Sequence, residues 1–194
     1  KAILTGSVYK NDEIKLWLAE RVENGTPLIV RQNGGVYGMC KFCTFEDHAT
    51  SISDTFLSWG WSSNNKKNNV VPGGHFKNTN KRMKYNPLGA ALLVGACRPR
   101  YSYFLGSYPM AGQLSLYYKE QIRFILALPK SLRRQVIVRL RHADYGQCQE
   151  ERWKDSFPYI NLDKGYEDMR ILIGKSRLYI STYNSTTFLE SLTW

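Results

Sequence analysis

Along this chain, short apolar runs of β type alternate with stretches in which apolar residues recur every three or four positions. Ala2-Ile3-Leu4-Thr5 is the first run. Asn11 or Asp12 can then cap a helix carrying Ile14, Trp17, Leu18 and Val22 on one face, and Gly25 supplies a stop. Pro27-Leu28-Ile29-Val30 is a buried-type strand that leads directly into Gln32-Asn33-Gly34-Gly35-Val36-Tyr37-Gly38. Strand, helix, strand and glycine-rich loop in this order make a βαβ unit, whose parallel strands carry ligand loops at their carboxyl ends. Phe56-Leu57-Ser58-Trp59-Gly60-Trp61 reads as another strand ending in an aromatic turn, with Asp54 at its entry.

From Ser62 to about Pro87 the pattern lapses into Asn, Lys and Gly, interrupted by a short Val70-Val71 strand and by Pro72-Gly73-Gly74-His75. This is the expected linker, with His75 either an exposed loop histidine or a group that approaches substrate. Apolar patterning resumes at Ala91-Leu92-Leu93-Val94-Gly95, which runs out into the basic loop Arg98-Pro99-Arg100-Tyr101. Leu114, Tyr117, Tyr118, Ile122, Ile125 and Leu126 recur at helical spacing and predict a core-facing helix ended by Pro129. Val136-Ile137-Val138-Arg139-Leu140 is the next strand, discharging into Arg141-His142-Ala143-Asp144-Tyr145-Gly146. A helix from Tyr166 to about Gly174 and a strand at Leu178–Ile180 follow. The organisation expected is α/β, with one parallel-sheet piece at 1–61, a linker at 62–89 and a second piece at 90–194.

The last strand empties into Ser181-Thr182-Tyr183-Asn184-Ser185-Thr186-Thr187-Phe188-Leu189-Glu190, which reads as loop and helix start. Hydroxyl and amide side chains here support two readings: a capping cluster, or hydroxyls and free helical N–H groups converging on one phosphate-sized anion. The Gln32–Gly38 loop is likewise a turn or a phosphate cradle. Trp59 and Trp61 form a stacking platform or are buried sheet aromatics.

Charge narrows the partners. With 27 basic and 16 acidic residues, a formal +11, the chain favours nucleic acid, nucleotide sugars or an anionic membrane face. Lys66, Lys67, Lys77, Lys81, Arg82 and Lys84 crowd a polar segment and read as a solvated loop, whereas Lys130, Arg133, Arg134, Arg139 and Arg141 surround a helix-to-strand passage that can in part face a ligand. Although 13 Tyr and five Trp supply stacking surface, they fall mainly within apolar periodic runs, and nucleic acid is not the expected partner. Of the four cysteines, only Cys40 and Cys43 have suggestive spacing, and a lone C-x-x-C lacks the partners of a zinc site; neither metal nor cofactor is expected. No apolar run approaches the ~20 residues that span a bilayer, and Lys1-Ala2-Ile3 begins nothing like a signal peptide, so a soluble cytoplasmic protein is expected.

Taken in order, Gln32–Gly38, Asp54–Trp61, Val138-Arg139-Leu140, Asp144-Tyr145-Gly146 and Tyr183–Glu190 resemble transferases of bacterial O-antigen and surface-carbohydrate clusters. More distantly, they are similar to capsule transferases using CMP-activated keto-sugars such as Kdo. The resemblance implies a GT-B architecture, two Rossmann-like halves facing a cleft, here truncated at both ends. It implies transfer of a sugar from a nucleotide-sugar donor to a surface glycan acceptor, in the cytoplasm or at the periphery of an anionic membrane. Ser185, Thr186 and Thr187 would hold the donor phosphate and Glu190 the ribose, while Arg139 and Arg141 would bear the departing charge. Gln32, Gly34 and Gly35 would line the cleft. His142 stands in a loop where the relatives carry His-Pro, with Ala143 in place of the proline. Asn33 stands where they carry histidine, and an amide hydrogen-bonds but cannot act as a base near pH 7. The candidate catalytic groups are His142, Asp144 and Asn33, with Asp54 a further candidate base. A nucleotide-sugar 2-epimerase and a non-catalytic nucleotide-sugar or nucleic-acid binding module are the alternatives.

Overall fold

Alternation of buried and half-buried side chains along Leu28–Arg31 and Val136–Arg139 marks strands covered on both faces, as in parallel sheets flanked by helices. The computed structural model describes residues 1–63, 69–75, 82–101 and 108–194. It divides into two units, Lys1–Asn80 and Lys81–Trp194, each built on its own four-stranded parallel sheet. The α/β expectation is met in both. Lys66, Lys67, Lys77 and Lys81 lie outside the described residues.

Unit 1 runs β1 (Ile3–Thr5), α1 (Asp12–Glu23), β2 (Leu28–Arg31), α2 (Thr44–Ile52), β3 (Thr55–Ser58) and β4 (Val70–Pro72), and its strands are ordered β1-β2-β3-β4. The core gathers Val8, Leu18, Leu28, Val30, Tyr37, Ala49, Phe56 and Val70, with Tyr37 stacked on Phe56 at 5.7 Å. Asn11 is the cap of α1, its side chain accepting from Ile14 N at 3.1 Å. The apolar face expected of α1 is narrower than its periodicity suggested. Leu18 is buried, but Ile14 and Trp17 are 43% and 46% exposed. Helix α2 escapes sequence reading because only Ala49 of its nine residues is buried, with Phe45 and Ile52 half-buried at its two ends and hydroxyls and charges between them.

Unit 2 runs β5 (Ala90–Val94), α3 (Gln113–Ala127), the single turn α4 (Lys130–Arg133), β6 (Val136–Arg139), α5 (Gln149–Ser156), β7 (Asn161–Asp163), α6 (Met169–Gly174), β8 (Ser176–Ser181) and α7 (Thr186–Ser191). Its strand order is β7-β6-β5-β8. Side chains alternate across β5, and two cores follow. Leu93 packs with Ile125 of α3, Trp153 of α5, Val136 and Val138, whereas Leu92 and Val94 pack with Leu172 of α6. Helices therefore cover both faces of the sheet. Neither α5 nor β7 was expected: α5 carries one apolar side chain, Trp153, and β7 is three residues long. Helix α6 begins later than Tyr166 because Asp168 caps it, accepting from Arg170 N at 2.7 Å. Along α3, Leu114, Tyr118 and Ile125 are buried as the spacing predicts, but Gln121 joins them and Leu126 is 52% exposed.

Candidate functional site

In unit 2 the chain leaves β5 for β6 on one side of the sheet and returns through α6 to place β8 on the other side of β5. Connections that depart in opposite directions from adjacent parallel strands open a crevice beyond the strands' carboxyl ends, the usual ligand position in open α/β sheets. Here the adjacent ends are Val94 and Ser181, which are paired in register.

The loop after β8 is anchored across this point. Thr182 Oγ1 donates to the Val94 carbonyl at 2.7 Å and also meets the Tyr117 hydroxyl, which accepts from Ala96 N at 2.7 Å. Ser181 Oγ donates to the Tyr183 carbonyl at 2.6 Å. Ser185 Oγ accepts from Phe188 N at 3.1 Å, so this hydroxyl caps α7 and is 8% exposed. Thr186 and Thr187 form the first turn of α7, and Glu190 lies in its second.

Beside this loop sits a cation–aromatic stack. The Arg98 guanidinium lies 3.9 Å from the centre of the Tyr108 ring, and Tyr108 lies 5.6 Å from Tyr183. Burial pushes the Tyr183 phenol up, and the nearby charges of Arg98 and Arg141 only partly offset this, so Tyr183 is a neutral hydrogen-bonding group at physiological pH. Both arginines, from two loops, thus lie within electrostatic reach of one tyrosine. Arg141 is exposed and also lies against Tyr145, 5.9 Å from its ring centre.

Two residues earlier the chemistry differs. Arg139 is paired with the Asp163 carboxylate, and its guanidinium also donates to the Glu167 carbonyl at 2.8 Å and the Gly165 carbonyl at 3.1 Å. Both side chains of that pair are largely buried, 14% and 13% exposed, and the pair ties β6 to the loop after β7. His142 is exposed, with its ring edge-on to Tyr166 at 4.6 Å. Asp144 accepts from Cys148 N at 2.9 Å and Gln149 N at 2.8 Å, at the start of α5. Burial raises its carboxyl, but these backbone donors outweigh burial and hold it below the ordinary carboxylate range.

In unit 1, Gln32 is 1% exposed and clamps two loops together. Its Oε1 accepts from Trp59 N and Trp61 Nε1, both at 2.8 Å, and its Nε2 donates to the Gly34 carbonyl at 2.8 Å. Gly38 has φ +72° and lies where an added Cβ would come within 2.8 Å of the Trp61 ring, while its N–H donates to Glu46 Oε2 at 2.6 Å. The loop's side chains thus hold the loop itself; Asn33 is exposed at its surface and Gly35 is buried. Trp61 packs in the core periphery beside Phe56, and Trp59 meets His75 edge-on at 4.2 Å. Asp54 accepts from Leu28 N at 2.7 Å, at the amino end of β2 and away from the carboxyl-end loops.

Arg98, Tyr108, Tyr117 and Thr182 were not among the site residues expected. The signal for Arg98 was the basic loop directly after a buried strand; Tyr117 was hidden by its place in a core-facing helical repeat. Among the described residues, no three His, Cys, Asp or Glu are gathered so as to hold a metal, and no helix is long and apolar enough to cross a membrane.

Comparison with known proteins adds a family. The model of the LIC12162 family transferase matches residues 1–194, the whole chain. The chain belongs to that family. The LIC12162 family is one of transferases by name. No curated protein and no solved structure matches this LIC12162 family member.

Proposed function

We propose that the protein is a glycosyltransferase of GT-B type that moves a sugar from a nucleotide-sugar donor to a surface polysaccharide or O-antigen acceptor. A CMP-activated keto-sugar is the leading donor. The observation that carries this reading is the Arg98–Tyr108–Tyr183 stack beyond the adjacent ends of β5 and β8, with Arg141 exposed on the loop that leaves the neighbouring strand β6. Glycosyl transfer develops negative charge on the departing phosphate while an oxocarbenium-like centre is attacked. Guanidinium groups and helix N–H donors preset around that position favour the transition state over the ground state.

In this assignment Arg98 and Arg141 carry the phosphate charge, Thr186 and Thr187 at the α7 start add donors, and Glu190 meets the ribose. Ser185 contributes through the cap that orients α7. Arg139 acts indirectly, by fixing the β6 and β7 loops through Asp163. His142 is the acceptor base in this assignment, as an exposed imidazole on the loop after β6, whereas Asp144 is held ionised by backbone donors and is a weak base. In unit 1, Gln32, Gly34 and Gly35 build a separate loop from which exposed Asn33 offers a hydrogen-bonding group. The basic balance of the chain suits work at the cytoplasmic face of an anionic membrane.

Calorimetric titration with CMP, UDP and GDP tests the reading. One nucleotide should bind, and Arg98→Gln or Arg141→Gln should each weaken it by about tenfold or more, as loss of a charge-assisted hydrogen bond does. Ser185→Ala/Thr186→Ala should weaken it less and also loosen α7. Binding of no nucleotide, or affinity indifferent to both arginines, sinks the donor site.

A further inference from the structure

We infer that unit 2 carries a second oxyanion-binding subsite, in a cleft of about 400 Å³ beside the start of α3, which takes the phosphate or carboxylate group of a small ligand. This inference rests on the cleft itself and not on the donor reading.

Consecutive residues on α3 separate the two places. Tyr117 turns its hydroxyl to Thr182 and Ala96 N at the crevice, while Tyr118, about 100° further round the helix, lines the cleft. Arg100 and Arg152 stand on the cleft's walls with Ser115 and Gln147, and none of the described lining residues is acidic. Arg152 Nε donates to the Gln147 carbonyl at 2.7 Å, which fixes the side chain and leaves its two terminal nitrogens for a ligand. Gln147 Nε2 in turn donates to the Arg98 carbonyl at 3.3 Å and closes the wall toward β5. Helix α3 opens on this cleft with Gly112 as its cap, without a capping side chain and without a carboxylate in its first turn. The positive end of a 15-residue helix is therefore not offset by the protein.

Tyr118 points independently to a ligand. The residue is 6% exposed, yet its hydroxyl has no hydrogen-bond partner among the described residues. A buried hydroxyl is seldom left unpaired, because desolvating it without compensation is unfavourable. Arg152 lies over the same ring, 5.6 Å from its centre, so an anion held by that guanidinium comes within reach of the phenol edge. Burial first, and then the Cys97 thiol, Tyr117 and the Asp144 carboxylate, push the phenol up against the opposing charge of Arg152, so it remains a donor, as an oxyanion requires.

Calorimetry on the whole protein with glucose 6-phosphate, glucuronate and glucose separates the possibilities. At least one of the two anions should bind while glucose does not, and whichever binds assigns the site to phosphate or carboxylate. Tyr118→Phe and Arg100→Gln should each weaken that binding roughly tenfold. Tyr118→Phe should leave the thermal midpoint of the free protein unchanged or raised, because it deletes an unpaired hydroxyl. Arg98→Gln, which alters the crevice, should leave this binding in place. The inference is overturned if neither anion binds, if binding is indifferent to both Tyr118→Phe and Arg100→Gln, or if Arg98→Gln alone abolishes it.

Discussion

Replacing Arg139 by methionine discriminates most sharply between a ligand contact and a structural tie. The side-chain volume is nearly kept, but the Asp163 carboxylate loses its ion-pair partner, and the Gly165 and Glu167 carbonyls each lose a donor. Breaking one side of a buried pair costs about 3–5 kcal/mol, because the remaining charge stays desolvated. With both side chains still 14% and 13% exposed, and with Gly165 N donating to Asp163 at 3.0 Å, the lower end applies, about 3 kcal/mol. Removing both charges, as Arg139→Met/Asp163→Leu, should recover much of that loss, since no uncompensated carboxylate remains. Hydrogen exchange read by mass spectrometry is the suitable assay, because the two units need not unfold together. Amides of Val136–Arg139 and Asn161–Asp163 should lose protection in the single variant, while Leu28–Arg31 in unit 1 serves as an internal reference. If Arg139→Met left exchange at Asn161–Asp163 unchanged yet abolished nucleotide binding, the arginine would be a ligand contact and the structural assignment would fail.

Three further outcomes are expected. Gln32→Leu orphans Trp59 N and Trp61 Nε1, and should destabilise unit 1 by about 2 kcal/mol or more with a red shift in tryptophan emission; an unshifted spectrum with unchanged denaturation would contradict the clamp. Gly165 has φ +93°, and an added Cβ would overlap the His142 backbone nitrogen, so Gly165→Ala should lower stability by about 2 kcal/mol or more and disturb His142, visible as a moved imidazole resonance by NMR. Asp144 has a depressed folded pKa, so its stabilisation is complete above the unfolded value of about 4 and fades as pH falls through the lower folded value. The stability difference between the native protein and Asp144→Asn, followed by urea denaturation from pH 7 to pH 2.5, should therefore be largest near neutrality and shrink in acid; a constant difference would refute the backbone-donor account.

Much of the fold was legible because it rests on local periodicity. Leu28–Val30, Ala91–Val94 and Val136–Val138 are short, apolar and β-branched or leucine-rich, and they form the inner strands of the two sheets as expected. The strongest helix, α3, begins and ends within a residue or two of the pattern that predicted it. The elements that escaped, α2, α5 and β7, are held by one or two buried side chains or are only three residues long, so their stability is tertiary and leaves little trace in the pattern.

The sequence alone determined that the chain is α/β, that polar loops follow its buried strands, and that hydroxyl groups gather before the last helix. Only the tertiary structure decided what those loops do. It set β8 beside β5, and so brought Thr182 to a carbonyl 88 residues away. It gave Arg139 and Arg141, two positions apart, unlike surroundings: one bound to Asp163 and two carbonyls, the other exposed against Tyr145. It also turned Gln32, Ser185 and Asp144 from apparent ligand groups into clamp, cap and backbone acceptor. The reason is physical. A residue's burial follows from its periodicity and can be read along the chain, whereas a polar group's role is set by whichever partner satisfies it, and that partner is supplied by chain crossing from elsewhere in the fold.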